Sequence, residues 1–464
     1  MTAPQLPPEI WDRIFDYLPF QQQLEKAVVC RAWNARIVWK ASLVLSCPSH
    51  YVQNHIDAIR HSLRNYRSFM VHMLKSDEDY TRIQLAIQEC KEKFAIQKLF
   101  LYYTSSKAVQ RLVDEHFEWI STVQCLHLQL CDDESFPAET LSKLVKLREL
   151  RLLNITDTNA NWTMLWNQLS LIRSVTLDAA WHYNDAALRN LVDAVSECSN
   201  LTELTLRSNG SNDTTAELSS ITKKLTNLKK LSLVRLTIRI NDVVLQLPEL
   251  TYLNLGISWF VFDKPCLTIN APKLQFLRVS KNNIPFVKFA EGTNITQMEL
   301  YGHSMSWAHS SFSTVKRLQL TIQEPANQEV IEDEIKLFPI VDSLVIKLLS
   351  KECTMLAPAG NRLLHLKKLH LNNFVLHMIF FEEIAQMKLL QSLTIEECNF
   401  FLERDVAQVD LSHLCCFRVK RVSLPMFVER FPIIAEGQPP VVLVDRLRTH
   451  LWRNDHFNVF SSKW

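Results

Sequence analysis

The stretch Leu201-Thr-Glu-Leu-Thr-Leu-Arg-Ser-Asn209 decides the fold of this 464-residue chain. Leu201, Leu204 and Leu206 follow the order apolar-x-x-apolar-x-apolar. Leu204 and Leu206 are two residues apart, the period at which side chains return to the same face of a β-strand. Arg207 therefore falls on the opposite face. The stretch predicts a short strand with one buried face and one outward face.

The same order of residues recurs along most of the chain. The first members of fourteen copies span 318 residues in thirteen steps, from 96 to 414. Their mean period of about 24 residues lies within the range of leucine-rich repeats. A looser copy begins at Tyr66. The fourteen copies begin at Ile96, Val123, Leu147, Ile172, Leu201, Leu228, Leu250, Leu274, Ile295, Val315, Val341, Leu366, Leu390 and Leu414.

Repeats of this length stack so that each one contacts only its neighbours. We therefore predict an α/β solenoid, a leucine-rich-repeat arc of about 14–16 units with one short parallel strand per repeat. Helical spacing of Val109, Leu112, Val113, Phe117 and Ile120 predicts that some return segments are helices. Prolines and shorter spacings between 250 and 315 predict extended returns in that part. A last strand is predicted at 441–444.

Composition argues against several functional classes. The 51 basic and 49 acidic residues leave a net charge of +2, which provides no basic field for a nucleic-acid backbone. Only six glycines occur, and no glycine-rich phosphate-binding motif is present. The eleven cysteines include no C-x-x-C pair, so neither a zinc site nor a disulfide framework is indicated. We expect no cofactor, no metal, no catalytic site and no membrane-spanning segment.

The compartment can also be predicted. The start, Met1-Thr-Ala-Pro, has no basic region followed by an apolar run, so no signal peptide is indicated. We expect a cytoplasmic or nuclear protein with reduced cysteines. N-x-[ST] sequons would fit an alternative, a secreted repeat glycoprotein. They begin at Asn154, Asn161, Asn200, Asn212 and Asn294.

The residues before the repeats have a different pattern. A helix with proline in its first turn is predicted after Leu6, with Ile10, Ile14 and Leu18 on one side. Two shorter helical segments follow, the second of them from Cys30 to Trp39. Three such helices are too small to bury their apolar faces against each other. They need a partner surface, either the adjacent repeats or another protein.

The N-terminal string reads Leu6-Pro7-Pro8-Glu9-Ile10-Trp11-Asp12-Arg13-Ile14-Phe15-Asp16-Tyr17-Leu18-Pro19, then Leu24, then Val28-Val29-Cys30-Arg31-Ala32-Trp33. It resembles the F-box, whose pattern is roughly L-P-x-E-I-L-x-x-I-F-x-Y-L, a gap, a leucine and V-C-x-x-W. About 35 residues match. Trp11 stands where the family usually has an aliphatic residue, and Gln21-Gln22-Gln23 where an acidic residue is common.

The resemblance implies a function. In F-box proteins with leucine-rich repeats, the F-box helices dock onto a Skp-family adaptor, which links to a cullin and a RING subunit. The repeats hold a protein substrate while other subunits transfer ubiquitin to it. Apolar anchors repeating on a helix are suited to docking in a groove. By this resemblance the adaptor contacts are Leu6, Pro7, Ile10, Ile14, Phe15, Leu18, Leu24, Val28, Val29 and Trp33.

These patterns divide the chain into four parts. We predict an F-box-like helical module over 1–40 and a transition with the first irregular repeats over 41–95. The leucine-rich-repeat solenoid follows over 96–435, and a C-terminal cap and tail over 436–464.

Outward strand positions are the candidates for substrate binding. Lys347, Lys368, Arg418 and Lys420 make the last repeats basic, which predicts an acidic or phosphorylated substrate segment there. A solvated face without a specific ligand is the alternative. The candidate substrate-binding residues are Arg207, Arg278, Tyr301, Arg317, Lys347, Lys368, His370, Arg418 and Lys420.

The main prediction is a substrate-recognition subunit of a cullin-RING ubiquitin ligase, which is not itself an enzyme. An F-box and repeat scaffold that acts outside any ligase would use the same helices and repeats. A co-receptor that binds a small molecule would need a polar pocket in the outward strand face. These alternatives stay open at the level of sequence.

Overall fold

A computed structural model describes the conformation of most of the repeats. The N-terminal F-box-like string lies outside the described residues, and with it all ten predicted adaptor contacts from Leu6 to Trp33. The described residues form two compact units. The N-terminal unit comprises 1–274 and 283–293, and the C-terminal unit 275–282 and 294–464. The described ranges are 38–39, 43–46, 65–131, 135–155, 161–179, 193–208, 215–217, 221, 223–240, 244–256, 259–262, 267–280, 287–290, 292–302, 312–322, 331–332, 335–349, 354–355, 365–401, 409–420 and 441–444.

The N-terminal unit is built from parallel strands that pair with their neighbours in chain order. Its described strands are β1 (Val38–Trp39), β2 (Leu43–Ser46), β3 (Asn65–Tyr66), β4 (Ser68–His72), β5 (Lys98–Thr104), β6 (Cys125–Leu130), β7 (Glu149–Ile155), β8 (Ser174–Ala179), β9 (Glu203–Ser208), β10 (Thr215–Glu217), β11 (Lys230–Val234), β12 (Thr237–Ile240), β13 (Val244–Gln246), β14 (Tyr252–Leu255), β15 (Trp259–Phe262), β16 (Leu267–Asn270) and β18 (Val287–Phe289). The main ladder runs β2-β4-β5-β6-β7-β8-β9-β11-β14.

The C-terminal unit continues the same pattern. Its described strands are β17 (Phe276–Ser280), β19 (Gln297–Tyr301), β20 (Arg317–Ile322), β21 (Ser343–Leu348), β22 (Thr354–Met355), β23 (Lys368–Asn372), β24 (Val375–His377), β25 (Ser392–Glu396), β26 (Asn399–Phe401), β27 (Cys416–Lys420) and β28 (Val441–Val444). The main ladder runs β17-β19-β20-β21-β23-β25-β27-β28, and every pair in it is parallel.

The repeated order of apolar residues explains this regularity. Each of the fourteen copies places a ladder strand two residues after its first member. In β9, Leu204 and Leu206 are 1% and 0% exposed, and they align with Leu231 and Leu233 of β11. Rows of leucine therefore stack from strand to strand, because the in-register pairing keeps every apolar position on the buried face. These rows form a continuous core within each unit, and the α/β solenoid is confirmed.

Helical returns occur near the start of the N-terminal unit. The described helices there are α1 (Asp77–Lys93), α2 (Ser106–Glu115), α3 (Phe117–Ile120), α4 (Ala138–Ser142) and α5 (Trp162–Gln168). Ser76 begins α1 with a capping box, in which its hydroxyl accepts from Asp79 N and the Asp79 carboxylate accepts from Ser76 N. In the C-terminal unit, α6 (Met378–Gln386) is a helical return of the same kind.

Two sequence predictions need correction. The helix predicted through Phe117 is interrupted at His116, which ends α2 and precedes α3. The interruption changes the direction of the apolar side chains that follow it, so Phe117 is 42% exposed although Ile120 is buried. Val38 and Trp39, the end of the third predicted N-terminal helix, instead form β1 and pair with β3. Both residue types favour strands, and this parallel pairing provides backbone partners.

Extended returns form additional small sheets. β10, β12 and β15 make one parallel sheet, and β13, β16 and β18 make a second, both in the N-terminal unit. β22, β24 and β26 make a third in the C-terminal unit. The strands between 250 and 290 confirm that returns in this part are extended. No helix in the described ranges is long and apolar enough to cross a membrane.

Candidate functional site

The outward face of the C-terminal ladder carries a basic face, defined as Lys347, Lys368, His370, Arg418 and Lys420. The strands alternate between buried and partly exposed side chains, and all five residues occupy the outward positions. Lys347, Asn372, Glu396 and Lys420 align in one row across four strands, whereas His370 and Arg418 lie in the adjacent row. Because neighbouring strands are about 4.8 Å apart, the fold assembles these charges into one patch.

Glu396 lies within this patch. His370 Nε2 is 3.1 Å from Glu396 Oε2, and the Glu396 side chain is only 17% exposed. Burial lowers the pKa of His370, and the positive charges of Lys347 and Lys420 lower it further, although Glu396 opposes them. The neutral imidazole of His370 and the carboxylate of Glu396 therefore lie together among the cations of the basic face. The sequence candidates omitted Glu396, although it is an outward position by the same alternation.

The other candidate residues have different surroundings. Arg207 Nη1 lies 3.6 Å from Asp178 Oδ2 on β8, and Arg278 Nε lies 3.5 Å from Glu299 Oε2 on β19. Both arginines are thus engaged by carboxylates of a neighbouring strand. No ion pair is found for Lys347, Lys368, Arg418 or Lys420 in the described part of the chain, so the basic face has more available charge.

Tyr301 and Arg317 also take outward positions, on β19 and β20. Tyr301 aligns with Thr321, and Arg317 aligns with Ser343 of β21, which in turn aligns with Lys368. Arg317 therefore extends the basic face by one strand, from β21 to β20. Substrate binding by these nine candidates stays a prediction.

The N-terminal ladder presents a different surface, the aromatic face, defined as Met70, His72, Phe100, Tyr102 and His127. The His72 and Tyr102 ring centroids are 5.2 Å apart, and the Phe100 ring meets the edge of His127 at 4.6 Å. Burial lowers the pKa of His72. These rings occupy positions that alternate with the buried leucines, so they form an outward surface and not the core.

A cluster of three polar side chains overlaps the aromatic face at His127. Cys125 and His127 are both on β6, and Glu149 is the strand partner of Cys125 on β7. The His127 Nε2 and Glu149 Oε1 atoms are 3.2 Å apart. The hydrogen bond with His127 lowers the pKa of Glu149. Burial, with the nearby Glu149 carboxylate, raises the pKa of the Cys125 thiol to about 12.

This thiol is not prepared for nucleophilic catalysis. A reactive cysteine needs a depressed pKa, so that a thiolate forms near neutral pH. The shift for Cys125 is in the opposite direction. The expectation that the chain carries no catalytic site therefore stands as a prediction, although the residue types of a thiol, imidazole and carboxylate triad are present.

A shallow groove of about 440 Å³ lies at one edge of the N-terminal ladder. Arg148, Arg173, Thr202 and Lys229 each precede a ladder strand by one residue, and all four line the groove. Glu249 contributes a carboxylate. The lining residues apart from Thr202 and Glu249 are exposed, so this groove is a solvated edge with mixed charge.

Two of the predicted sequons are engaged in local structure. Asn200 Nδ2 donates to Ser170 O at 3.0 Å, so a glycan there would displace this hydrogen bond. Asn161 Oδ1 accepts from Met164 N at 3.0 Å and caps α5. The asparagines thus have structural roles that do not require glycosylation.

In the comparisons with known proteins, a family model matches the N-terminal part of the chain. Residues 3–41 match the family described as F-box-like. No curated protein matches the chain. The chain therefore combines an F-box-like segment with a leucine-rich-repeat solenoid, and both are non-catalytic modules of protein interaction. F-box domains generally bind Skp-type adaptors.

Solved structures with similarity are repeat proteins of low sequence identity. TLR13 in complex with ssRNA13 is 15% identical with a TM-score of 0.43, over 82% of this chain and 52% of that chain. This chain thus spans about half of that one. The Leptospira interrogans LRR protein LIC12759 is 15% identical, with a TM-score of 0.31 over 78% and 95% of the two chains. The Listeria monocytogenes internalin inlF is 18% identical, with a TM-score of 0.32 over 65% and 82%.

Proposed function

We propose that this protein is the substrate-recognition subunit of a cullin-RING ubiquitin ligase. The observation that carries the proposal is the F-box-like segment at 3–41 in the same chain as the repeat ladder. The F-box-like segment docks to a Skp-family adaptor, and through it to a cullin and a RING subunit. The repeats bind the substrate, and other subunits transfer ubiquitin, so this chain is not itself an enzyme. Its place is the cytoplasm or the nucleus.

The outward strand face supports the binding role. A parallel ladder with a continuous leucine core holds its outward side chains on a rigid backbone, which lowers the entropic cost of binding. The basic face provides Lys347, Lys368, Arg418 and Lys420 on three of the four consecutive strands β21, β23, β25 and β27. We propose that an acidic or phosphorylated segment of the substrate binds there, since clustered cations recognise such segments.

Adaptor docking is tested by affinity purification of the full chain. The variant replaces Leu6, Ile10 and Leu18 by alanine, and a Leu171→Ala variant is the matched control, because Leu171 is 50% exposed on the solenoid. A Skp-family adaptor is expected with the wild type and the control but not with the triple variant. Equal recovery from all three samples would contradict the docking proposal.

Ubiquitin transfer separates this function from a scaffold outside a ligase. A ligase subunit and a scaffold outside a ligase would use the same F-box-like segment. Proteins retained by the triple variant are therefore collected as substrate candidates. In a reconstituted reaction with adaptor, cullin and RING subunits, such a protein is expected to be ubiquitinated only when the wild-type chain is present. A bound adaptor without transfer to any retained protein would favour the scaffold.

Charge reversal tests the basic face. Replacing Lys347, Lys368, Arg418 and Lys420 by glutamate is expected to abolish substrate capture while adaptor binding continues. The control variant reverses four exposed cations of the N-terminal unit outside its strand face. Those four residues are Lys146, Arg148, Arg173 and Lys229. Loss of capture in the control alone would place recognition at the edge groove.

A further inference from the structure

Three different metal-binding side chains meet on the outward face of the N-terminal ladder. Cys125 and His127 are two residues apart on β6, and Glu149 is the partner of Cys125 on β7. One ligand atom from each residue lies within 4.8 Å of the others. They come from neighbouring strands in a regular ladder, so the backbone holds them in place.

The donor set suits one class of metal ion. Zn²⁺ binds cysteine sulfur, histidine nitrogen and carboxylate oxygen in tetrahedral geometry, with bonds of about 2.0–2.3 Å, and such bonds place neighbouring donors roughly 3.3–3.8 Å apart. The His127 Nε2 and Glu149 Oε1 atoms, at 3.2 Å, are already near this separation. Calcium and magnesium prefer oxygen donors alone, so a thiol and an imidazole select against them.

We propose that Cys125, His127 and Glu149 form a three-ligand zinc site whose fourth position is open to water or to a donor from a bound partner. Catalytic and exchangeable zinc sites use three protein ligands in this way, whereas structural sites close all four. The fourth position faces outward, because all three residues project from the same side of the ladder.

Charge and orientation are compatible with this site. A thiolate and a carboxylate together neutralise Zn²⁺, so the neighbouring cations Lys98 and Arg151 would meet a cluster with no net charge. The Phe100 and His127 rings meet edge to face, with their centroids 4.6 Å apart. This contact limits rotation of the His127 ring. Packing that fixes a ligand ring generally strengthens metal binding.

Cobalt reports the ligands directly. The full-length chain is titrated with Co²⁺, and the absorption spectrum is recorded from the near ultraviolet to the visible. A thiolate-to-cobalt charge-transfer band and the visible bands of a tetrahedral ion are expected to saturate at one ion per chain. Zn²⁺ added in equal amount is expected to remove both, and to raise the midpoint of thermal unfolding.

Variants assign each ligand. Cys125→Ser is expected to abolish the charge-transfer band, and His127→Gln or Glu149→Gln to weaken Co²⁺ binding by about tenfold or more. Cys416→Ser is the matched control, because Cys416 also begins a ladder strand at an outward position. Two residues later that strand has Arg418 in place of a histidine, so the control is expected to bind Co²⁺ like the wild type.

A spectrum without the charge-transfer band would overturn the proposal, as would a band that persists in Cys125→Ser. If Cys125→Ser does not fold, the Glu149→Gln variant decides, because the Glu149 side chain is 48% exposed and tolerates the change. Unchanged Co²⁺ affinity in that variant and in His127→Gln would equally reject the site. The assay contains no adaptor, so its result is independent of the ligase proposal.

Discussion

The two units share a backbone plan but differ in the chemistry of their outward faces. In the N-terminal unit, β4, β5 and β6 present the aromatic face, and in the C-terminal unit β21, β23 and β27 present the basic face. The buried rows of both contain the same aliphatic side chains: Leu233 and Leu371 are each 0% exposed. The difference teaches that the buried positions specify the ladder, whereas the outward positions are free to differ and therefore carry recognition.

Truncating a side chain in the buried rows tests this comparison with the largest expected effect. Leu233→Ala and Leu371→Ala are each expected to lower the free energy of unfolding by about 2–5 kcal/mol, since each leaves a cavity in a packed row. Thr205→Ala, at an outward position on β9, is expected to change it by less than about 0.5 kcal/mol. Denaturant titrations followed by circular dichroism measure the three variants. An outward change as costly as a buried one would mean that the two faces do not divide these tasks.

The helical returns of the N-terminal unit allow a second test. Trp119 Nε1 donates to Phe94 O at 2.7 Å, and the ring packs on Phe69 with centroids 5.5 Å apart. Trp119→Phe keeps the aromatic packing but leaves a buried carbonyl without this donor, an expected loss of about 1–3 kcal/mol. Hydrogen exchange should show increased exchange in β4 and β5, with no change in the C-terminal unit. Uniform loosening of both units would contradict an effect confined to neighbouring repeats.

Removing one carboxylate sharpens the contrast in charge. Glu396→Gln is expected to raise the affinity of the basic face for an acidic phosphopeptide up to about tenfold, because like-charge repulsion close to the ligand disappears. The probe is a labelled peptide of alternating glutamate and phosphoserine, and fluorescence anisotropy measures its affinity. Glu149→Gln, on the other unit, is the matched control and should leave the affinity unchanged. A similar gain from both variants would indicate general electrostatics instead of a local site.

The smallest expected effect is a pH dependence that both units share. Burial lowers the pKa of His116 in the N-terminal unit and of His413 in the C-terminal unit. The unfolded chain therefore binds protons more readily, and stability is fully present above the unfolded pKa of about 6.5. It is expected to decline as pH falls from about 6.5 toward the lower folded values.

A variant at His116 isolates one of these contributions. Its ring nitrogens have no hydrogen-bond partner in the described residues and are buried. His116→Leu, with a side chain of similar volume, should reduce the loss of stability between pH 7 and pH 5. Thermal unfolding midpoints across this range measure it, and a slope identical to the wild type would mean that His116 does not titrate on unfolding.

Much of this fold could be predicted from the order of residues. The copies beginning at Ile96 and at Leu414 each predicted a strand that the structure contains, because alternation of buried and outward side chains is a local property of a strand. The outward placement of Lys347 and Arg418 followed from the same alternation. The cluster of Cys125 and Glu149 also had a signal, since both occupy the third position of their copies.

That signal becomes visible only when neighbouring copies are aligned, because the two residues are 24 positions apart. Metal-ligand spacing within a single segment could not reveal it. The break of the helix at His116 had no clear signal either, since Phe117 continued the apolar spacing. Its exposure follows from packing against neighbouring repeats, which a helical stripe alone does not describe.

The sequence by itself determined the repeat, its period, the buried face of each ladder strand and the F-box-like string. Only the tertiary structure decided which outward residues meet: Arg207 with Asp178, His370 with Glu396, and Cys125 with His127 and Glu149. The physical reason is the distance in sequence over which the interactions act. Alternation along a strand is set by the chain's own geometry, whereas the environment of an outward side chain depends on strand register and on rotamers chosen among neighbours that are distant in sequence.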